Sequence, residues 1–163
     1  MTTARGTIHL VRHAHALART GWRGDDGLRP LSERGIAQAR ALATGFTPPG
    51  AFVLVSSPAV RCQSTLRPLA ERLAAGIELL DALAEGRSGG HCLDLLLTRL
   101  AGTEAVVACT HGDVLGEALD VLEALGTPFS SPRALPKAGT WVLTVNGGHI
   151  VEARLRPPPR VSA

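Results

Sequence analysis

Apolar and polar positions follow one another along this chain in blocks that predict strands and helices in turn. Runs that are apolar throughout, such as residues 52–56 and 105–109, are typical of strands buried on both faces of a sheet. Between them apolar residues recur at helical spacing, for example over 93–100. Strands that alternate with helices predict an α/β fold, here a three-layer α/β/α sandwich with a mainly parallel central sheet.

The predicted strands and helices have bounds that can be compared with a structure. Strands are predicted at 7–11, 52–56, 77–80, 105–109, 141–145 and 149–155, and helices at 33–44, 58–75, 93–100 and 112–125. Pro68 lies inside the second predicted helix and predicts a kink or a break there. Asn146-Gly147-Gly148 separates the last two strands and predicts a C-terminal hairpin at one edge of the sheet.

The composition supports one domain over residues 1–155, followed by a Pro-rich flexible tail over 156–163. Apolar residues make up 45% of the chain, which is enough for a sizeable core. Aromatic residues make up only 3% and Tyr is absent, so stacking platforms for nucleic-acid bases are not expected. The net charge of +3 comes from arginines spread along the chain, which favours a small anionic substrate over nucleic acid.

The cysteines and the apolar segments indicate where the protein works. Cys62, Cys92 and Cys109 are an odd number without Cys-x-x-Cys spacing, which favours a reducing compartment and argues against a disulfide scaffold or a zinc site. No signal peptide is visible, and no apolar stretch is long enough to span a bilayer. We therefore expect a cytoplasmic protein with neither a metal site nor a membrane partner.

Charged side chains follow the ends of the four predicted parallel strands. Arg12 and His13 come after the first strand, Arg61 lies in the first turn after the second, Glu85 follows the third and His111 follows the fourth. Because the carboxyl ends of parallel strands share one edge of the sheet, these groups are expected to converge. Guanidinium forks and free helix N-termini both match phosphate oxygens, so the convergence predicts a site for a phosphoryl group.

The same residues resemble the histidine phosphatase superfamily, the group that includes phosphoglycerate mutases and phosphohistidine phosphatases. Four motifs in the family's order carry the resemblance: Leu10-Val11-Arg12-His13-Ala14, Arg29-Pro30-Leu31-Ser32-Glu33-Arg34-Gly35, Ser56-Ser57-Pro58 with Arg61 and Thr65, and Thr110-His111-Gly112. The chain looks most like the small bacterial phosphohistidine phosphatases. The stretch Trp22-Arg23-Gly24-Asp25-Asp26 also looks like the phosphatase domain that some bacteria fuse to a Nudix hydrolase.

The resemblance implies that His13 is a nucleophile that attacks phosphorus and is transiently phosphorylated. Arg12, Arg61 and His111 would hold the transferred oxygens, without a metal or another cofactor. Neighbouring cations disfavour the protonated form of His13, which leaves a free lone pair near pH 7. The substrate would be a phosphohistidine-bearing protein or a small phosphorylated metabolite or nucleotide.

The proton donor to the leaving group remains open. Glu85 occupies the family's usual acid location, and a carboxyl group near a phosphate more readily carries a proton. Asp113 is the alternative, and a phosphohistidine substrate would need no acid. His15, Trp22 and Asp25 are further candidates for contact with the substrate, since the loops over 14–30 and 127–138 should set its identity.

Two other functions are compatible with the resemblance. A phosphoglycerate mutase-type phosphotransferase would use the same histidine, but such enzymes usually carry larger insertions than this chain has. A catalytically silent module that binds phosphorylated ligands would have no need of a nucleophile. The presence of Arg12, His13, Arg61 and His111 together favours an active phosphatase.

Overall fold

The computed structural model describes residues 4–162, and in this part the chain forms six strands and four helices. The strands are β1 (Gly6–Arg12), β2 (Phe52–Ser56), β3 (Ile77–Leu79), β4 (Ala105–Thr110), β5 (Thr140–Asn146) and β6 (His149–Arg156). The helices are α1 (Glu33–Gly45), α2 (Val60–Arg72), α3 (Gly89–Leu100) and α4 (Gly112–Ala124). Short 3-10 helices lie at Asp26–Leu28 and Asp81–Leu83.

All six strands belong to one sheet in the order β3-β2-β4-β1-β5-β6. The first four strands run parallel, while β5 is antiparallel to β1 and β6 is antiparallel to β5. The predicted fold class and the C-terminal edge hairpin are thus confirmed. The parallel pairing brings the carboxyl ends of β1, β2 and β4 to a common edge, where the candidate site lies.

Alternate residues of the central strands face two separate hydrophobic cores. Ile8 and Leu10 of β1 pack in one core with leucines of α3 and α4, and Val11 packs in the other with leucines of α1 and α2. Every residue of β4 is buried, as expected for a central strand covered on both faces. The three layers hold the strand ends rigidly, which a preorganised site requires.

Helix α2 does not break at Pro68, which was one of the two outcomes predicted there. The helix continues from Val60 to Arg72 through Pro68 without a break, and it ends three residues earlier than predicted. Leu66 and Leu69 on either side of the proline are fully buried, and we attribute the continuity to their packing.

Helix α3 begins at Gly89, four residues before the apolar period over 93–100 that predicts it. The first turn of α3 begins with two glycines and a histidine, so it shows no apolar period in the sequence. Ser88 caps this turn by accepting a hydrogen bond from the amide of His91 at 3.2 Å. A Cβ on Gly89 would lie 2.2 Å from the backbone nitrogen of Ala118. Glycine here therefore allows α3 and α4 to approach closely.

The C-terminal segment departs slightly from the predicted bounds. Strand β6 includes Arg156, whose guanidinium lies 4.9 Å from the ring centre of Phe46. Residues 157–162 form no regular secondary structure, and residues 1–3 and 163 lie outside the described part. The division into one domain and a flexible tail stays a prediction. Within residues 4–162 no helix has the length and apolar character needed to cross a membrane.

Candidate active site

The end of β1 fixes the ring of His13. The backbone amide of His13 donates to the carbonyl oxygen of Thr110 at 3.0 Å, which continues the pairing with β4. The ring is nearly buried, and its Nδ1 lies 2.8 Å from the carbonyl oxygen of Ala14. Because a carbonyl oxygen only accepts hydrogen bonds, Nδ1 carries the proton and donates. The lone pair is therefore on Nε2.

The surroundings keep this imidazole neutral. The pKa of His13 is lowered from 6.5 to about 3, mainly by burial; the hydrogen bond to the Ala14 carbonyl opposes this shift, and the charges of His111, Arg61 and Arg12 add to it. At neutral pH the Nε2 lone pair is consequently available for attack on an electrophile.

His111 stands beside His13 at the start of α4. The two ring centres are 5.4 Å apart and the rings meet edge to face. Ser57 Oγ lies 2.8 Å from Nε2 of His111, and Nη2 of Arg61 lies 3.4 Å from Nδ1. The Arg61 nitrogen only donates, so Nδ1 accepts and Nε2 donates to Ser57. The hydroxyl of Ser57 thereby orients His111 so that its Nδ1 faces the Arg61 guanidinium.

Arg61 is 1% exposed, and a hydrogen-bonded framework joins its helix to the His13 segment. Thr65 Oγ1 donates to the carbonyl oxygen of Arg61 at 2.7 Å and accepts from the amide of Ala14 at 2.9 Å. One threonine therefore fixes the first turn of α2 relative to the residue that follows His13. This explains how side chains 48 positions apart in sequence can be held in register.

Arg12 packs against the start of α4, next to His111. Its Nη1 donates to the carbonyl oxygen of Leu135, while Nε is buried without a partner among the described residues. A Cβ on Gly112 would lie 2.9–3.0 Å from the Arg12 guanidinium. Glycine at position 112 thus lets the guanidinium pack directly on the helix backbone.

Replacing Gly112 by Ala is expected to displace Arg12 and to lower kcat/KM by about tenfold or more while the protein stays folded. The added methyl group must push the guanidinium away from its position against α4. Steady-state kinetics and a thermal melt would check this. Gly90→Ala is the matched control, because its new methyl group has no neighbour closer than 3.7 Å. Equal activity of the two variants would contradict the expectation.

The four basic side chains open into two adjoining cavities. Arg12 and His13 line one with a volume of about 520 Å³, and Arg61 and His111 line the other with a volume of about 390 Å³. Glu85 lines both cavities, and its carboxylate lies 2.9 Å from Arg19 and 3.5 Å from Arg61. The structure therefore brings all four together with Glu85, as the convergence of strand ends predicts.

The other predicted acid and loop residues differ in their positions. Asp113 lines the larger cavity and accepts from the amide of Gly86 at 2.8 Å. His15 lines it as well, with Nδ1 2.6 Å from the hydroxyl of Ser32. Trp22 instead donates to the backbone of Asp25, whose own side chain caps the 3-10 helix at Asp26–Leu28. Trp22 and Asp25 thus shape the loop, and Asp25 also borders the smaller cavity.

Comparison with known proteins places the chain in a family. The model of the histidine phosphatase superfamily (branch 1) matches residues 8–91. The chain belongs to this superfamily. It is also 33% identical to the 8-oxo-(d)GTP phosphatase of Mycolicibacterium smegmatis over 156 residues, which is 94% of this chain and 48% of that protein. The chain thus spans about half the length of this curated relative.

Solved structures share the histidine phosphatase fold. A protein from Nakamurella multipartitia that carries the name phosphohistidine phosphatase SixA is 22% identical, with both chains covered fully and a TM-score of 0.71. A phosphoserine phosphatase variant from Entamoeba histolytica is 15% identical over 94% of this chain and 96% of that one, with a TM-score of 0.68. At these identities the likeness concerns the fold alone.

Asp26 is the residue of this histidine phosphatase domain that sequence reasoning missed. In the sequence it belongs to the Trp22–Asp26 motif and has no assigned partner, yet its Oδ2 lies 3.1 Å from Arg61 and its Oδ1 lies 2.9 Å from Arg29. A hydrogen bond from Arg29 and the charges of Arg61, Arg29 and Arg19 hold the pKa of Asp26 below its usual range. This carboxylate occupies guanidinium donors of Arg61 and Arg29. Its position three residues before Arg29 is the only signal of the pairing in the sequence.

Replacing Asp26 by Asn is expected to strengthen the binding of inorganic phosphate by roughly threefold to tenfold, because the competing charge is removed from Arg61. Inhibition by phosphate, measured as Ki, would report the change. Asp94→Asn, on the exposed face of α3, is the control and should leave Ki as it is. Weaker phosphate binding by the Asp26 variant would mean that the carboxylate supports the site.

Two buried histidines predict a loss of stability on acidification. Burial lowers the pKa of His9 to about 4, with Arg156 and Arg154 adding to the shift, and that of His13 lies at about 3. Between these values and 6.5 the unfolded chain binds protons that the folded chain does not, so the free energy of unfolding falls with decreasing pH.

The slope of this loss should reach at most about 1.4 kcal/mol per pH unit for each of the two histidines. Denaturant titrations between pH 7 and pH 4 would measure it. In the His13→Ala variant one of the two groups is gone, and the slope should be roughly halved. A slope unaffected by that substitution would show that His13 does not titrate differently in the folded and unfolded states.

Proposed function

We propose that this domain is a metal-independent phosphatase that works through a phosphohistidine formed on His13. The observation that carries the proposal is the fixed ring of His13, with its Nδ1 proton held by Ala14 and its Nε2 lone pair free. Family membership supports the same reaction, since the matching motifs contain the histidine and arginines concerned.

The reaction proceeds in two displacements at phosphorus. In the first, Nε2 of His13 forms a bond to phosphorus while the bond from phosphorus to the leaving oxygen breaks, and that oxygen takes up a proton. In the second, water attacks phosphorus and the P–N bond breaks, which releases phosphate and restores the neutral imidazole. The direct attack of water on the substrate, which has a high barrier, is thereby divided into two displacements with lower barriers.

The guanidinium groups of Arg12 and Arg61 stabilise the charge that the phosphoryl oxygens carry in both steps. Nη2 of Arg61 lies 3.4 Å from Nδ1 of His111, and the Arg12 guanidinium packs on Gly112, the next residue after His111. Donors that are already in position cost no reorganisation during the reaction, and each is typically worth about 2.7–4 kcal/mol. Phosphate must first displace Asp26 from Arg61, which the half-exposed position of this carboxylate allows.

Glu85 is the proposed donor of the proton to the leaving oxygen. It lies at the boundary of the two cavities and within 3.5 Å of Arg61, so a phosphoryl group bound there would be in reach. Asp113 is the second candidate, since it lines the same cavity as His13. A substrate with a good leaving group, such as phosphohistidine, would need neither.

The proposed substrates are phosphorylated small molecules, nucleotides among them, or a phosphohistidine-bearing protein. The relative in Mycolicibacterium smegmatis is by its name a nucleotide phosphatase, which supports the nucleotide class. The test is a turnover screen over phosphohistidine protein, sugar phosphates and nucleotides in the presence of EDTA. We expect phosphate release in EDTA from at least one class. Release that requires added metal ions would contradict the proposal.

A further inference from the structure

The larger cavity is lined by cations that carboxylates only partly pair. Among the described residues that line it, four are permanent cations and two are carboxylates: Arg12, Arg19, Arg29, Lys137, Glu85 and Asp113. Both carboxylates are engaged, since Glu85 pairs with Arg19 at 2.9 Å and Asp113 accepts from the amide of Gly86 at 2.8 Å. Arg29 pairs in turn with Asp26 at 2.9 Å, so among the described residues Arg12 and Lys137 are the lining cations without a carboxylate partner.

Lys137 is the cation whose position nothing in the catalytic scheme explains. It lines the same cavity as His13 and is half-buried, yet within residues 4–162 its ammonium group forms neither an ion pair nor a side-chain hydrogen bond. Its charged neighbours are Arg12, Arg29 and Arg34, and together with burial they lower the pKa of Lys137. Burial and the charge of Lys137 lower the pKa of His15, which lines the same cavity.

The backbone ties Lys137 to the phosphoryl site. The carbonyl oxygen of Leu135, two residues earlier, accepts a hydrogen bond from Arg12. The amide of Ala138, the next residue, donates to the carbonyl oxygen of Arg12 at 3.0 Å. The segment that carries Lys137 is thus held against Arg12 on both sides. An ammonium group kept among like charges in a cavity is costly unless an anion compensates for it.

We propose that Lys137 and His15 form, beside Arg12, a second anion subsite that binds a phosphoryl group of the substrate that is not transferred. The inference rests on the proposed function and narrows its substrate class to phosphoanhydrides, such as nucleoside diphosphates and triphosphates. In an anhydride the second phosphoryl group is joined to the transferred one through a single oxygen, so both fit one cavity of about 520 Å³. The negative charge of the second phosphoryl group would compensate for the positive charge of Lys137 and Arg12.

The test compares ADP with AMP, which share the base and the sugar and differ by one phosphoryl group. The Lys137→Ala variant should lose about ten times more kcat/KM for ADP than for AMP, as expected when one charged contact to the second phosphoryl group disappears. Lys137→Arg should recover most of the loss. Arg133→Ala is the control in the same loop, because Arg133 pairs instead with Asp120 and Glu123 at 2.9 and 2.8 Å.

Equal losses for ADP and AMP in Lys137→Ala would overturn the inference and leave the phosphatase itself intact. A larger loss for 3-phosphoglycerate than for ADP would also overturn it, because the second group would then be a carboxylate. If the wild-type protein hydrolyses none of these compounds, the proposed function fails separately. Calorimetric binding of inorganic pyrophosphate and of phosphate then decides the subsite: Lys137→Ala must weaken pyrophosphate selectively, and equal weakening refutes the proposal.

Discussion

Replacing His13 by Ala is expected to reduce kcat by on the order of 10⁴-fold or more while leaving the fold in place. The substitution removes the protein atom that the proposed mechanism bonds to phosphorus, so the two-step route is lost altogether. The remaining cations can still bind the phosphoryl group and polarise it, which accounts for any residual hydrolysis. Single-turnover kinetics on the preferred substrate would measure the loss.

The His13 prediction needs controls for folding and for binding. His91→Ala replaces an exposed histidine on α3 and should retain full activity. Binding of inorganic phosphate to His13→Ala should persist, because Arg12, Arg61 and His111 remain. A variant that turns over at near the wild-type rate would identify a different nucleophile and end the proposed mechanism. A variant that neither binds phosphate nor melts like the wild type would reveal a structural role instead.

Replacing Arg61 by Ala is expected to lower kcat/KM by about 10²–10³-fold, the usual effect of removing one preorganised donor to a charged transition state. Arg61 is almost fully buried, and its Nη2 lies 3.4 Å from Nδ1 of His111. Its loss therefore removes the donor and also a partner that orients His111. Arg61→Lys keeps the charge without the two-pronged geometry, so an intermediate loss is expected.

The matched control for Arg61 lies on the same helix. Arg67 is exposed six residues further along α2, and Arg67→Ala should retain wild-type kinetics. We expect Arg61→Ala to stay folded, because Asp26 keeps its ion pair with Arg29 at 2.9 Å. Thermal melts would check this. Full activity of a folded Arg61→Ala protein would exclude this side chain from the site.

The sequence predicted the fold well wherever burial alone determines an element. The bounds of β2 match those predicted because its apolar run coincides with the part that crosses the sheet. The start of α3 lies before the apolar period that predicts it, because its first turn begins with two glycines. Of the two outcomes predicted at Pro68, a kink or a break, the break was wrong, because propensity is local whereas the packing of the neighbouring leucines is not.

The part of the candidate site that follows from the sheet topology could be predicted from the sequence. Once strands alternate with helices, residues at parallel strand ends must meet at one edge, and Arg12, His13, Arg61 and His111 do so. The partners of these side chains were not predictable, because they depend on how the loop over residues 14–30 folds back. The pairing of Asp26 with Arg61 and the engagement of Glu85 by Arg19 are contacts of this kind. Lys137 lies in an irregular segment, and because such a segment shows no apolar periodicity, its position beside the site could not be predicted from the sequence.

The central claim is that a phosphoryl group passes through His13, and its most direct test is to trap that intermediate. Wild-type protein would be quenched in alkali within the first turnovers, digested, and analysed by mass spectrometry under conditions that preserve phosphohistidine. The account predicts one added phosphoryl group, stable in alkali and lost in acid, on the peptide that contains His13. A phosphoryl group found on any other side chain during turnover would contradict it.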